Sequence, residues 1–569
     1  MRVLPFSRLW KRVGAGRTSF LNLPVEVQVE ILCHLDPASL VACRLTCRSL
    51  STLFEESMAV QYAYRLGISA MTDVGSPEGV SLRDRYAAIV RYQRASKRIL
   101  FPARIQSPGQ DSFFLAQSNG VFVYAFNDSG SVALKLHRPG SARTGLPELT
   151  FLCVKWKSFM EPRSFSAARF AVDLSEDLLV ITRPSDDKTE YLHHFISISG
   201  DCYRHPVAAS STLRAPRSTQ QSHAITYPRG DVPLDILSDL VAWGHLQAVQ
   251  DEDYSDLPQT TVVQITNWKT GTVVWRYQSH EISSYHLIDR HHILITQHDG
   301  IHVFAFDPDR SGPAPPVYTK PQAQLLHLRL PAFEPAAQRA GLFKSVLNIP
   351  RSHPDDRPLF RPDPSHSLLA ICMDNFALNC RPDRFQKSGV LFLVSLETIR
   401  AYLARRLKTG WARFGRSLVL RWDDWGPMGA RVVTTDDINL FDLSIATLGS
   451  RCVLTIARSA PLVHVVVIDA HPWAQHHGRG LTRHPISLRG VYHTSKLVDS
   501  SYLHHIDTLG PYERLWKTWK QKVMILQGTF PCHMAQCLVQ VRWPDYSRSH
   551  TVLTGEEVVV VRTRRIRSG

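Results

Sequence analysis

The sequence predicts an α+β multidomain chain: a small N-terminal three-helix module, a helical spacer, and a large all-β, propeller-like domain of six or seven irregular blades. Three observations carry this. Cap-and-proline signals open short helices at Leu23-Pro24 and Asp36-Pro37. Beyond Ile105 the texture changes to strand pairs separated by turn residues. The leading strands then recur after about 50 to 85 residues, and repeated sheets around an axis leave few open edges. The expected organisation is a basic tail over 1–19, helices over 20–58, a linker over 59–105, the β domain over 106–562 and a basic tail over 563–569.

Composition narrows the class. The chain has 569 residues, 44% apolar and 20% charged, with a formal charge of +16. That is a folded protein with material for large cores. No run approaches the roughly 20 apolar residues that span a bilayer, and charges interrupt every apolar segment before Asn22, so neither a membrane helix nor a secretory leader is expected. The ten cysteines lie mostly in apolar company and read as intracellular free thiols, placing the protein in the cytoplasm, the nucleus or both.

The helical module holds the functional signal. Pro24 opens the first helix, Asp36 with Pro37 the second, and Thr46 is expected to cap a third bearing Leu50, Leu53 and Phe54. At 100° per residue, Val25, Val27, Val29, Ile31, Leu32 and Leu35 spread over an arc of roughly 200°, too wide for one packing partner. A segment of about 40 residues cannot cover such a surface alone. A second chain is the economical cover.

The run Leu23-Pro24, Glu26, Ile31, Leu35-Asp36, Leu40, Leu45, Cys47-Arg48, Leu50 and Leu53 resembles the F-box pattern, over about a twelfth to a fifteenth of the chain. Departures are mild: Val27 stands where leucine is usual, and Ser49 and Ser51 where larger residues are common. The resemblance implies docking on a Skp-type adaptor, and through it a cullin scaffold and a ubiquitin-conjugating enzyme. Leu23, Pro24, Val27, Ile31, Leu35, Leu40, Leu45 and Leu50 would supply the apolar contact. The chain would then be the substrate-recognition subunit of a cullin-RING (SCF-type) ubiquitin ligase, itself non-catalytic, with a protein target held by the β domain. A scaffold that binds the adaptor without ubiquitin transfer is the alternative. A basic nucleic-acid binder ranks last, because no recognition motif accompanies the charge.

From Ser57 to Ile105 the pattern stays helical, broken at Gly75-Ser76-Pro77, and reads as a stiff spacer. In the β region, strand pairs are expected at Ser112–Ala116 with Val121–Phe126, Leu178–Thr182 with His194–Ile198, and Leu240–Trp243 with Val262–Thr266 and Val273–Trp275. Others follow at Ile293–Thr296 with Ile301–Phe306, Leu368–Cys372 with Val390–Ser395, Cys452–Ile456 with Val463–Asp469, and Val523–Leu526 with Leu538–Val541. Glu557–Arg562 is a candidate closing strand, and 203–231, 307–320 and 348–366 read as loop insertions. The segment Leu420-Arg421-Trp422-Asp423-Asp424-Trp425-Gly426-Pro427 is similar to an element of fungal F-box proteins with a long irregular β region. Trp422 and Trp425 are candidate partner anchors, with core packing the favoured alternative.

No reactive signature appears. Gly14-Ala15-Gly16-Arg17-Thr18 lacks the spacing and lysine of a phosphate loop. No nucleophile elbow or zinc-protease pair occurs, and the histidine doublets lack evident companions. Cys33, His34, Cys43 and Cys47 do not have paired zinc-ligand spacing. The expectation is therefore no catalytic residue, no cofactor and no metal.

Overall fold

A computed structural model describes residues 20–75, 79–98, 103–106, 112–128, 131–141, 144–153, 168–187, 190–200, 204–216, 234–247, 260–279, 281–297, 299–317, 324–330, 343–351, 356–377, 387–408, 417–436, 443–457, 462–470, 533–540, 548–553 and 558–563. Among these, seven α-helices accompany a β-propeller. No helix of the described residues is long and apolar enough to cross a membrane.

The module forms α1 (Val25–Cys33), α2 (Pro37–Thr46) and α3 (Arg48–Glu56), preceded by a 3₁₀ turn at Phe20–Asn22. α4 (Met58–Gly67) and α5 (Leu82–Arg98) follow. Asp36 caps α2 as its spacing predicts: Oδ1 accepts from the Ser39 amide at 3.0 Å while the Ser39 hydroxyl donates to Oδ2 at 2.6 Å. Those bonds hold the Asp36 carboxyl below its ordinary range. Thr46 is not the cap of α3. That position falls to Cys47, whose side chain makes no cap bond, and the Thr46 hydroxyl donates backward to the Cys43 carbonyl at 2.7 Å.

Six blades of four or five strands follow one another. Blade 1 has strands Ser112–Ser118, Val121–Asp128, Ser131–Arg138 and Leu149–Cys153, and blade 2 has Arg169–Asp173, Leu178–Pro184, Glu190–Ser197 and Thr212–Pro216. Blade 3 comprises Asp235–Leu237, Leu240–Gln247, Thr260–Asn267 and Thr272–Ser279. Blade 4 comprises Ile282–Asp289, His292–Gln297, Gly300–Ala305 and Gln324–Arg329, with Leu418–Leu420 added in parallel at its outer edge. Blade 5 is Phe343–Leu347, Leu368–Ala377, Lys387–Ser395 and Ala430–Asp436, and blade 6 is Leu443–Leu448, Arg451–Ala457, Leu462–Asp469 and His533–Gln540. A three-stranded sheet closes the ring. There Arg548–Leu553 pairs with Val558–Thr563, which pairs in parallel with Ala103–Gln106.

The expected turns explain several hairpins. Asn119 (φ 50°) and Gly120 (φ 78°) both take positive φ between the first two strands of blade 1, the backbone a two-residue hairpin needs. Gly271 (φ 74°) does so in blade 3, beside Trp268, which is fully buried and donates to the Ser238 carbonyl at 2.8 Å. The closing strand expected at Glu557–Arg562 is Val558–Thr563. Val523–Leu526 lies outside the described residues.

Two expected loops turn out to be structural. Thr212–Pro216, inside the expected insertion 203–231, is the outer strand of blade 2. The connection between the first two strands of blade 5 contains Phe360–Pro362, which pairs antiparallel with Met71–Asp73 from between α4 and α5. The same connection reaches blades 1 and 2. Asp356 takes a two-pronged contact from Arg138 at 2.5 and 2.6 Å, the Leu359 amide donates to the Thr144 carbonyl at 2.7 Å, and Arg351 donates to Asp173 at 2.5 Å. A segment so rich in proline and charge therefore crosses one face of the ring as a tie.

Candidate functional site

The module has its own small core, and that core uses only part of its apolar surface. Leu32, Leu40, Phe54 and Val60 are buried together, with Val29, Leu35, Leu53 and Tyr64 packed at the margin. On α1, Leu32 and Val29 fall on one side and Pro24, Val27 and Ile31 on the other. The first side faces the core. The second does not: Pro24 and Val27 are exposed, Val27 by 42%, and Ile31 is half-buried. Leu45, at the end of α2, is 79% exposed, and Leu21, Val25 and Met58 are exposed beside them in sequence.

The eight residues expected at the docking face divide accordingly. Pro24, Val27 and Leu45 are exposed, and Leu23, Ile31, Leu35 and Leu50 are half-buried. Leu40 is a correction. At 1% exposure it fills the space among α1, α3 and α4, so it holds the helices together instead of facing a partner. The periodicity of a ten-residue helix does not separate the side facing its neighbours from the side facing a partner when both are apolar.

Trp422 and Trp425 are a second correction. Both are buried, Trp425 completely, in α7 (Trp422–Gly429), which packs between blades 4 and 5 with Leu328, Phe392 and Ile399 of α6 (Leu396–Lys408). Their rings meet edge-on at 5.0 Å, and the Trp425 indole N–H donates to the Arg329 carbonyl at 3.0 Å. An indole so satisfied is a core element, not an interface anchor.

The segment after the module is docked on the ring rather than spanning a gap. α4 turns Val60 and Tyr64 toward the helical core, and Tyr62 and Leu66 toward a second cluster with Met71, Ile89, Tyr92 and Phe360. Phe360, from the blade 5 connection, is fully buried and meets Tyr92 edge-on at 5.6 Å. Arg65 donates to Gln93 at 2.7 Å and Tyr86 at 3.0 Å, while Gln93 donates back to the Arg65 carbonyl at 3.0 Å. The Tyr62 hydroxyl donates to the Leu359 carbonyl at 3.3 Å, and Asp363 donates through its amide to the Ala70 carbonyl at 2.8 Å. Strand pairing, a buried aromatic pair and these bonds fix the module's orientation on the ring.

The short helical unit thus leaves an apolar patch exposed while it is held to a much larger ring.

Residues 20–58 match the family model of the F-box domain.

F-box domains in general bind Skp-type adaptors and serve as non-catalytic receptors in ubiquitin ligases. The matched span coincides with the 3₁₀ turn and α1–α3, and the apolar residues left outward lie within it. No curated protein matches the chain.

Proposed function

We propose that this protein is the substrate-recognition subunit of a cullin-RING ubiquitin ligase, in which the F-box docks a Skp-type adaptor linked to a cullin scaffold and the propeller holds a protein target. The observation that carries the reading is the outward apolar set Pro24, Val27 and Leu45, with Leu23, Ile31, Leu35 and Leu50 at its edge. Fully burying an aliphatic side chain contributes about 1.5 to 3 kcal/mol, so a few such residues offset an association cost of about 4 to 15 kcal/mol.

Catalysis in this reading is proximity. A target gripped by a ring whose orientation relative to the F-box is fixed spends more of its time beside the charged conjugating enzyme, and transfer accelerates without a reactive group in this chain. The free thiols support an intracellular location, in cytoplasm or nucleus. Cys372 and Cys452 are buried in one cluster of blades 5 and 6 and form no disulfide, and burial pushes the Cys452 thiol far up.

The test is adaptor binding by the full chain. Val27→Asp and Leu45→Asp each place a charge in the patch and should weaken binding at least about 30-fold with the unfolding midpoint unchanged. Undiminished binding in both variants sinks the reading. Proximity labelling with and without proteasome inhibition then separates a receptor, whose captured target accumulates, from a scaffold, whose partner level stays constant.

A further inference from the structure

Blade 4 carries a side-chain cluster that lies apart from the adaptor-docking residues. We propose that Asp299, His302 and His327 form a binding site for a divalent transition-metal cation of the zinc class, leaving one coordination position to solvent.

His302 and His327 occupy directly opposed positions on the third and fourth strands, so both rings project from the same face of the sheet. Their centroids are 4.1 Å apart with planes 23° from parallel. Asp299, in the turn before the third strand, reaches back to both. Its Oδ1 lies 2.8 Å from His302 Nε2 and its Oδ2 lies 3.3 Å from His327 Nε2. One ligand atom from each residue falls within 4.8 Å of the other two. Tetrahedral zinc with bonds of about 2.0 to 2.2 Å separates its ligand atoms by about 3.3 to 3.6 Å. Small side-chain adjustments therefore bring the three donors onto one ion.

Three further features distinguish the cluster from an ordinary histidine–aspartate contact. His327 Nε2 is buried and points into the cluster, where its contact with Asp299 Oδ2 at 3.3 Å is looser than the 2.8 Å contact of His302. Gly300 makes the space: a Cβ there would come within 3.0 Å of His327 Nε2 and overlap the Leu328 carbonyl. Gln324 stands behind His302, its side-chain nitrogen 3.1 Å from Nδ1. That amide donates to Nδ1 while the Nε2 proton serves Asp299. With a metal on Nε2, the proton moves to Nδ1 and the turned amide accepts it, so a neutral imidazole is retained and no net proton is lost from it. The Asp299 side chain is 41% exposed, which gives the ion a path and a water its place.

Strand direction places the site. The turn holding Asp299 joins the second and third strands of blade 4, and so opens on the face of the ring opposite the blade 5 connection that carries the F-box. Adaptor docking and metal binding are thereby independent.

The experiment is a Zn²⁺ titration of the full chain, freed of metal by chelation, against a chromophoric competitor, with Co²⁺ absorption as the report on tetrahedral geometry. His302→Gln, His327→Gln and Asp299→Asn should each weaken Zn²⁺ binding at least about 10-fold. His292→Gln, whose ring contacts Asp289 at 2.8 Å at the other end of the blade, should not. Saturating Zn²⁺ should raise the unfolding midpoint of the wild type and leave the three variants unmoved. Should a histidine variant fail to fold, Asp299→Asn, which keeps the side-chain shape and sits at the rim, decides alone. Wild-type binding weaker than about 100 μM, or binding and stabilisation undiminished in Asp299→Asn, means that the three residues are a hydrogen-bonded pin and no metal site.

Discussion

The F-box and the interface of blades 4 and 5 are both rich in apolar side chains, and they dispose of them in opposite ways. Between the blades, Leu328, Phe392, Ile399, Trp422 and Trp425 are buried, and even the indole nitrogen of Trp425 is satisfied. In the F-box, Val27 and Leu45 stay exposed although Leu32 and Leu40, in the same helices, are sealed. Hydrophobicity alone does not mark a partner surface. Hydrophobicity that the local fold is too small to cover does.

Four measurements break or sharpen that contrast, from the largest expected effect down. Acid should separate the regions most strongly. Burial pushes His193 in blade 2 down to about 3, and His194, His245 and His286 to about 4. Unfolded histidine titrates near about 6.5, so between that value and about 4 the unfolded chain binds more protons, and stability present above pH 6.5 is lost as pH falls. Each such group costs about 1.4 kcal/mol per pH unit in that window. Asp235, raised to about 6 by burial, and His366, raised against its burial by Glu397 and Asp363, act in the opposite sense but are two groups against four. Residues 20–98 contain a single histidine, the exposed His34. A descending pH series should therefore melt the ring's tertiary signal before the helical signal; simultaneous loss would show the two are one cooperative unit.

Next comes Trp425→Ala, expected to lower ring stability by about 3 to 5 kcal/mol while adaptor affinity at temperatures where the ring is folded stays unchanged. A binding loss there would restore the tryptophan to the interface. Gly67→Ala should cost about 1 to 3 kcal/mol, because a Cβ would overlap Pro37 at the start of α2. Its effect should appear in helix melting and not in the ring. Smallest is Asp36→Ala, which removes the α2 cap and should cost about 1 kcal/mol in thermal unfolding. A change much beyond that would mean that Asp36 holds α2 by more than its bonds to Ser39.

How much of this could be read from the residues depended on the range of the cause. Helix starts at Pro24 and Asp36, positive φ at Asn119, Gly120 and Gly271, and the apolar run through Leu462–Asp469 are local, and the sequence pattern located them. Thr212–Pro216 became a strand only because Glu190–Ser197 offered an edge. Phe360–Pro362 pairs with Met71–Asp73 from about half a chain length away, a three-residue match too short to give a period. The docking face was legible as a surplus of apolar side chains, but the inward placement of Leu40 needed the positions of α3 and α4. The His302–His327 pair was invisible for a related reason. Its members meet through strand register, and a one-residue slip would put one ring on the other face.

The parallel pairing of Ala103–Gln106 with Val558–Val561 means that the ring is latched by a strand that follows the F-box helices and is closed only once Val558–Thr563 has been made. A polypeptide interrupted shortly before Val558 keeps every residue of the docking patch but lacks the latch. In the proposed complex such a fragment is a decoy: it occupies adaptor with an unlocked ring and lowers the output of every intact receptor competing for the same scaffold.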